Sequence, residues 1–344
     1  MISIIIPTYN RSASLESTLQ FLLKSNLEKE KFEILVVDNG STDNTKDVTL
    51  KTLSPTSFKF KYLFEPEPGL LSGRHKGAQE ASGNILTFID DDVEVSSGWL
   101  KGIYDVFAQN ENISFVTGPC LPKYEVYPPD WVNYFWAETP YGGKECSWLS
   151  LIDLGNKPVE IHPNWVWGLN FSIRKSVFDE LQGFNPDNIK KELQHFQGNG
   201  ETGLTLKAEE KGLKALYHPE VLLYHQVPRE RLSIAYFKKR AFYAGVSVSF
   251  TDLREGKPKA AAETAQNNSV ASEKNIKSKL RHLYGVLFNK QTAKPLNTEI
   301  QQLLAEVRAE GKKGYDFHQQ AFYSNEKVKN WVLQKDFMNY KLPL

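Results

Sequence analysis

Over the first ninety residues, continuous apolar runs alternate with segments in which apolar residues recur at helical spacing. Ile2 to Ile6 is a β-branched run of the kind found in parallel strands that are buried on both faces. Leucines at positions 15, 19, 22 and 23 follow it and predict one apolar helix face. Further strands are predicted at 33–37, 58–64 and 85–89, with helices between them. This order predicts an α/β fold whose mostly parallel sheet has helices on both faces.

The pattern changes beyond these strands. Residues 119–165 are rich in proline, tyrosine and tryptophan with weak periodicity, which predicts a long ordered loop or a small lobe over a cleft. Strand and helix patterns return between 166 and 227, and the chain then becomes mainly helical. The stretch near 256–274 is rich in alanine, lysine, asparagine and serine and predicts a flexible linker. An apolar stripe with basic flanks at 276–288 predicts an amphipathic helix.

Composition and charge divide the chain at a similar place. Of 344 residues, 40% are hydrophobic and 24% are charged, which is ordinary for a globular protein and excludes disorder of the whole chain. The net charge of +1 conceals an asymmetry: 20 basic and 10 acidic residues lie beyond position 230, against 22 basic and 31 acidic before it. We therefore expect an α/β domain at 1–227 and a basic, mainly helical extension at 228–344 with a different partner.

The sequence gives no sign of export or of a membrane span. No run approaches the roughly 18 apolar residues that a spanning helix needs, and the N-terminus lacks the basic flank and cleavage site of a signal peptide. Two cysteines, Cys120 and Cys146, cannot build a disulfide framework. These observations predict a cytoplasmic protein.

The basic helix predicted at 276–288 leaves three interpretations open. It can lie on an anionic membrane, as a peripheral contact with the inner face, because its stripe is apolar and its flanks are basic. It can also pack on the α/β domain or mediate a homodimer. We favour packing, since an apolar stripe with a solvated charged face is the ordinary globular pattern. Nucleic acid is not an expected partner, because no recognition module is apparent.

Carboxylates gather where the predicted strands end. Asp38 follows the second strand, and Asp90, Asp91 and Asp92 follow the fourth. Ligands of such sheets bind beyond the carboxyl ends of the strands. Three adjacent carboxylates repel one another unless a cation neutralises them, and hard oxygen ligands suit Mg²⁺ or Mn²⁺. The alternative is a solvated acidic loop at the aspartate run and a simple turn after Asp38.

Two residues further along the chain also carry candidate chemistry. Glu201 stands among glycines at a predicted helix start, where it can reach into a cleft as a general base. The alternative is a first-turn glutamate that only interacts with the helix dipole. His225 ends a predicted strand, where it either completes a metal site or forms a buried hydrogen bond.

Five segments in this order resemble glycosyltransferase family 2 and its GT-A fold, over about residues 1–227. The segments are SIIIPTYNR, ILVVDNGSTDNT, PGLLSGRHKGAQEASGNILTFIDDD, WVWGLNFSIRKSVFDELQGFNP and GNGETGLTLKAEEKGLKALYHPEVLLYH. The resemblance implies a catalytic domain with a Rossmann-like, mostly parallel sheet flanked by helices, followed by a helical extension. It places the aromatic-rich insert 119–165 on the acceptor side, where its rings either stack on sugars or fill a small core.

The resemblance also implies a role for each motif position. Residues expected to bind the donor are Pro7, Thr8, Tyr9, Arg11, Asp38, Arg74, Asp90 and Asp91. Residues expected on the acceptor side are Trp167, Gly168 and Asn170. Asp92 and His225 are expected to hold the metal. Glu201 falls where the family has the aspartate of a Glu-Asp pair, the general base of inverting members; with another helix register it matches the first residue of that pair.

The implied function is metal-dependent, inverting transfer of a sugar from a nucleotide donor to a hydroxyl group. The cofactor would be Mn²⁺ or Mg²⁺. The donor would be a UDP-sugar in preference to a GDP- or dTDP-sugar, and the acceptor a glycan or lipid-linked molecule in cell-surface polysaccharide synthesis. The alternatives are a sugar nucleotidyltransferase, whose glycine-rich N-terminal loop is missing here, and a degenerate module that only binds sugar nucleotides.

Overall fold

A computed structural model of the chain describes residues 1–256 and 297–343. The strands in these ranges are β1 (Ile2–Thr8), β2 (Phe32–Asp38), β3 (Phe60–Phe64), β4 (Ile85–Ile89), β5 (Val93–Val95), β6 (Ile113–Thr117), β7 (Cys120–Tyr124), β8 (Ala137–Glu138), β9 (Lys144–Cys146), β10 (Leu151–Asp153), β11 (Val159–Ile161), β12 (Asn170–Arg174), β13 (Lys214–Tyr217) and β14 (Leu223–Val227).

The larger sheet has eight strands in the order β11-β13-β6-β12-β4-β1-β2-β3. Strands β1 to β4 are parallel neighbours, as their apolar runs predicted. All seven residues of β1 and of β2 are buried, because the sheet is covered on both faces. The sheet becomes mixed at β12, which pairs antiparallel with both β4 and β6. The predicted α/β architecture is therefore confirmed.

A smaller sheet of six strands, in the order β5-β14-β7-β10-β9-β8, lies beside the first. The segment 119–165 supplies four of these strands, so the small-lobe interpretation describes it better than a long loop. Its aromatic side chains mostly form a core. Phe135 and Trp148 are buried and pack with Trp131 around Phe237 of the C-terminal extension, whereas Tyr134 is exposed.

The helices flank the sheets and continue into the extension. They are α1 (Ser12–Leu22), α2 (Thr45–Leu53), α3 (Leu70–Glu80), α4 (Trp99–Gln109), α5 (Lys175–Glu180), α6 (Gly200–Glu210), α7 (Ile234–Arg254), α8 (Thr298–Ser324) and α9 (Glu326–Val332). The leucine stripe of α1 is buried as predicted. None of the helices in the described ranges carries an apolar stretch that could cross a bilayer.

The described part of the extension packs on the rest of the chain. Helices α7 and α8 cross closely at Gly245. A Cβ at this position would lie 1.9 Å from the carbonyl oxygen of Gly311, so the side chain of any other residue would clash there. Near the C-terminus, Trp331 donates from Nε1 to the carbonyl of Phe196 at 2.6 Å. The basic helix predicted at 276–288 and nearly all of the linker predicted at 256–274 lie outside the described residues.

Candidate functional site

Three parallel strands deliver the predicted polar residues to one edge of the large sheet. Strands β4, β1 and β2 are neighbours and end on the same side. Thr8 and Asp38, the last residues of β1 and β2, are paired in register. The run of three aspartates directly follows β4. Motifs that are separated by tens of residues in sequence therefore meet where ligands of such sheets bind.

Two of the three aspartates are buried in a charged network. Asp91 accepts hydrogen bonds from Thr8 Oγ1 at 2.7 Å and pairs with Arg11 Nη1 at 2.7 Å. Asp92 Oδ2 accepts from Arg11 Nη2 at 2.8 Å and from Arg231 Nη2 at 2.7 Å. Burial raises the pKa of Asp91 to about 7, although Arg11 opposes this shift. Guanidinium groups from two distant segments thus hold the aspartates in place.

Asp90 is the exposed member of the run. Its side chain is 31% exposed, and Oδ1 accepts a 2.7 Å hydrogen bond from Arg74 Nη2. The same nitrogen donates to the carbonyl of Gly168 at 2.9 Å. A Cβ at residue 168 would lie 2.5 Å from Arg74 Nη1, so only glycine allows this approach. Arg74 is itself buried. Through these two hydrogen bonds it links the aspartate run to the segment before β12.

Asp92 and His225 form a donor set that suits a divalent cation. His225 Nδ1 lies 2.9 Å from the Leu149 carbonyl oxygen and donates a hydrogen bond to it, because a carbonyl oxygen can only accept. This bond orients the ring, and the other nitrogen, Nε2, is directed toward Arg231 and Asp92. Asp92 Oδ1 is buried without a hydrogen-bond partner among the described residues and lies 3.6 Å from His225 Nε2. The described part of the chain contains no cluster of three or more His, Cys, Asp or Glu side chains that could hold a metal ion. A carboxylate and an imidazole leave the remaining coordination positions to a substrate, as is usual for Mg²⁺ and Mn²⁺.

A cavity of about 340 Å³ opens beside this network. Six residues predicted from the sequence line it: Arg74, Asp90, Trp167, Gly168, Glu201 and His225. They come from helix α3, the end of β4, the segment before β12, the start of α6 and strand β14. The structure therefore brings the predicted donor, acceptor, base and metal motifs to one concave site.

Other predicted residues lie outside the cavity lining. Asn170 is buried, and its side chain accepts from Trp99 Nε1 at 3.0 Å and donates to the Val221 carbonyl at 2.9 Å. These bonds fix β12 within the core, so the structure does not bring the Asn170 side chain to the cavity. Predicted residues that also do not line the cavity are Pro7, Thr8, Tyr9, Arg11, Asp38, Asp91 and Asp92.

A second carboxylate stands beside Glu201. Helix α6 begins at Gly200, which has a φ of +54°, and Glu201 lies in the first turn. A Cβ at Gly200 would lie 2.8 Å from Asp187 Oδ2, so the Asp187 carboxylate rests directly on the helix start. Asp187 also lines the cavity. Burial and, to a smaller extent, the negative charge of Glu201 raise the pKa of Asp187 to about 6.

The raised pKa of Asp187 predicts a pH-dependent stability. Between its ordinary value of 3.8 and about 6, the folded state binds more protons than the unfolded state, so stability falls as pH rises through this window. We expect Asp187→Asn to remove that fall and to gain about 1–2 kcal/mol at pH 7 relative to pH 4. Urea unfolding at both pH values measures the difference. Asp179→Asn, at an exposed position of α5, is the matched control and should change nothing; equal pH profiles for wild type and Asp187→Asn would contradict the prediction.

Sequence reasoning missed Asp187 and the residues contributed by the C-terminal extension. Asp187 follows the predicted acceptor segment by one residue, and no periodic pattern marks it. Residues from the extension that line the cavity are Arg231, Tyr236, Lys239, Arg240, Tyr243, Ala244 and Ser247. Six of them recur at spacings of three and four along α7, and this helical period was the signal available in the sequence.

A comparison with family models gives a match over residues 3–181, just over half of the chain, to the model described as glycosyl transferase family 2. The matched range begins in β1 and ends after α5. It includes Asp38, Arg74 and the three aspartates.

Curated relatives and a solved structure are also similar. A validoxylamine A glucosyltransferase of Streptomyces hygroscopicus subsp. jinggangensis is 28% identical over 54% of this chain and 47% of its own length. A glucosyl-dolichyl phosphate glucuronosyltransferase of Haloferax volcanii is 23% identical over 73% of this chain and 77% of its own. The match to the first of these spans about half the length of that relative.

One similar solved structure is a mannosyltransferase from Pyrobaculum calidifontis, in complex with GDP-Man and Mn²⁺. It aligns with a TM-score of 0.53 and 16% identity over 96% of this chain and 82% of that one. This likeness shows a shared fold and confirms the predicted GT-A architecture.

Proposed function

The chain belongs to glycosyl transferase family 2, and on that premise we propose that it transfers a sugar, with inversion, from a nucleoside-diphosphate donor to an acceptor hydroxyl. One observation carries the proposal. Asp90, His225 and Glu201 come from three separate elements, and their side chains line the same cavity. A sugar nucleotidyltransferase or a degenerate binding module has no need of a base beside the donor site.

Glu201 is the proposed general base. It would accept the proton of the acceptor hydroxyl as that oxygen forms its bond to the anomeric carbon. The bond from the anomeric carbon to the diphosphate breaks in the same displacement, and its electron pair leaves with the diphosphate. One displacement inverts the anomeric centre, so no enzyme nucleophile is required. Asp187, next to Gly200, keeps a second negative charge close to the base.

Asp92 and His225 are the residues that would hold a divalent cation. Asp92 Oδ1 has no hydrogen-bond partner among the described residues, and the Leu149 carbonyl orients His225; both observations support this assignment. When bound, the cation neutralises charge on the departing nucleoside diphosphate. Arg231, which pairs with Asp92 Oδ2 and contacts His225 Nε2 at 2.6 Å, adds a fixed positive charge at the same place.

Donor and acceptor residues are proposed for the same region of the structure. Pro7, Thr8, Tyr9, Arg11 and Asp38 are proposed to hold the nucleoside, because they gather at the ends of β1 and β2 near the aspartates. Arg74, Asp90 and Asp91 would face the diphosphate and ribose. Trp167 and Gly168, on the cavity wall, would face the acceptor. The name of one relative, the glucosyl-dolichyl phosphate glucuronosyltransferase, supports a lipid-linked acceptor, and a glycan acceptor in polysaccharide synthesis remains part of the proposal.

Nucleotide binding tests the proposed donor site. We expect one of UDP, GDP and dTDP to raise the melting temperature of the chain in the presence of Mn²⁺, with UDP favoured, and the shift to shrink after chelation. A ligand at 100 times its dissociation constant stabilises a protein by about 2.7 kcal/mol, so differential scanning fluorimetry resolves the effect. If no nucleoside diphosphate changes the melting temperature with either Mn²⁺ or Mg²⁺, the proposal is contradicted.

A further inference from the structure

The C-terminal extension presents one face of helix α7 to the cavity. The lining residues on this face are Tyr236, Lys239, Arg240, Tyr243, Ala244 and Ser247. Their spacing of three and four residues places them in one stripe along the helix. The opposite side of α7 is fixed, because Phe237 packs among Phe135 and Trp148 and the helix backbone touches α8 at Gly245. The stripe is therefore a rigid wall of the cavity.

The stripe carries two positive charges that have no ion-pair partner among the described residues. In the described part of the chain, neither Lys239 nor Arg240 forms a hydrogen bond or a salt bridge, and Lys239 Nζ lies 5.6 Å from the ring centre of Tyr243. The neighbouring Lys238, in contrast, pairs with Glu306 at 2.7 Å outside the cavity. The arginines nearer the aspartates are also occupied: Arg74 pairs with Asp90 and Arg231 with Asp92.

The charge of Arg240 acts on a carboxylate beside the start of α6. Arg240 lowers the pKa of Asp187 through its charge, so the two groups are within electrostatic range, although no ion pair forms. Asp187 in turn stands beside Glu201. The proposed donor site has a cationic group of its own, since Arg231 pairs with Asp92 and contacts His225. The two cations of α7 share the cavity with Glu201, so an acceptor that reaches Glu201 enters a space that they also line.

We propose that Lys239 and Arg240 form a subsite for an oxyanion, a phosphate or a carboxylate, carried by the acceptor. The guanidinium of Arg240 suits two-point contact with either group, and Lys239 adds a point charge. Tyr236 and Tyr243 flank the cations on the same stripe and offer ring faces to the sugar that carries the anion. That the anion belongs to a sugar acceptor rests on the proposed function. The anion subsite itself is defined by the residues that line the cavity.

The test compares matched probes in the full chain at constant ionic strength. Glucose, glucuronate and glucose 6-phosphate are titrated with and without the best nucleoside diphosphate and Mn²⁺, and inorganic phosphate serves as a sugar-free probe. Trp148 and Trp167 line the cavity, so tryptophan fluorescence reports binding. We expect the charged sugars to bind about tenfold more tightly than glucose, which is the gain that charge-assisted hydrogen bonds give. The same preference is expected when the nucleotide is bound. The stronger of the two charged sugars identifies a phosphate or a carboxylate as the group recognised.

Variants separate this subsite from the donor site. Lys239→Gln/Arg240→Gln is expected to lose the tenfold preference for charged sugars and to keep its affinity for the nucleoside diphosphate. Lys238→Gln, one position away but outside the cavity, should keep both. Melting temperatures establish that each variant is folded. Equal binding of glucose and the charged sugars, or a preference that survives the double substitution, would overturn the proposal.

Two other outcomes also decide between the hypotheses. If the double variant loses nucleotide affinity instead, the cations belong to the donor site and the acceptor subsite is refuted. If no nucleotide binds the wild-type chain, the proposed function fails, while the titrations without nucleotide still show whether an oxyanion subsite exists.

Discussion

Glu201→Gln should lower sugar transfer by a factor of about 10²–10⁴ and leave nucleoside diphosphate affinity nearly unchanged. The amide retains the size and shape of the carboxylate at the start of α6, but it cannot accept the proton of the attacking hydroxyl. The cation and the donor are proposed to bind at Asp92 and His225, which the substitution does not touch. Steady-state transfer rates and nucleotide titrations on the same preparation separate the two properties.

A control on the same helix makes this experiment specific. Glu210→Gln makes the same chemical change at the exposed end of α6, away from the cavity, and should leave transfer unchanged. Asp187→Asn provides the second comparison, because Asp187 lies beside Gly200 and is the other carboxylate near the base. Full transfer by Glu201→Gln, together with its loss in Asp187→Asn, would contradict our assignment and identify Asp187 as the base.

Asp92→Asn should reduce transfer by a factor on the order of 10²–10³, the usual effect of removing one electrostatic contribution to a transition state. It should also abolish the dependence of nucleotide affinity on Mn²⁺. Chelation should weaken nucleotide binding in the wild type to the level of the variant and should not affect the variant further. Calorimetric titrations with Mn²⁺ and after chelation give all four affinities.

The substitution also removes a buried charge that pairs with Arg11 and Arg231. Breaking a fully buried ion pair costs about 3–5 kcal/mol; the cost here should be smaller, because both arginines are partly exposed and Arg11 keeps Asp91. Urea unfolding must therefore accompany the titrations. His225→Gln offers a second route to the same conclusion, because it removes the proposed imidazole ligand and leaves the Asp92 ion pairs in place. Nucleotide binding that depends on Mn²⁺ equally in the wild type and both variants would contradict the metal site.

The strands and helices of the first ninety residues could be predicted from the sequence because their burial is periodic. Strand β4 begins and ends where its apolar run does, and α1 buries the predicted leucines. The parallel order of these strands alone predicts that the aspartates lie at the edge of the sheet where ligands bind. The small sheet was not predicted, since strands of two to five residues in an aromatic-rich segment carry too little periodicity.

Residues of the candidate site could be predicted only where they belong to a recognisable sequence motif. Glu201 and His225 were identified from their positions at element ends, and both line the cavity. Asn170 belongs to an equally clear motif, yet its amide bonds within the core to Trp99 and Val221, because a short motif does not show where a side chain points. Asp187 and Arg240 reach the cavity only through tertiary packing of the segments that precede α6 and form α7. The basic excess beyond residue 230 predicted a separate partner, but three of its charges, Arg231, Lys239 and Arg240, line the cavity itself.

The most direct test of the central claim is the release of nucleoside diphosphate from UDP-, GDP- and dTDP-sugars, measured with candidate acceptors in Mn²⁺ and after chelation. We predict release from one donor class that requires the metal and falls to background in Glu201→Gln. Release that is unchanged by chelation and by the Glu201 substitution, or no release from any donor although the nucleotide binds, would contradict a metal-dependent transferase with its base at Glu201.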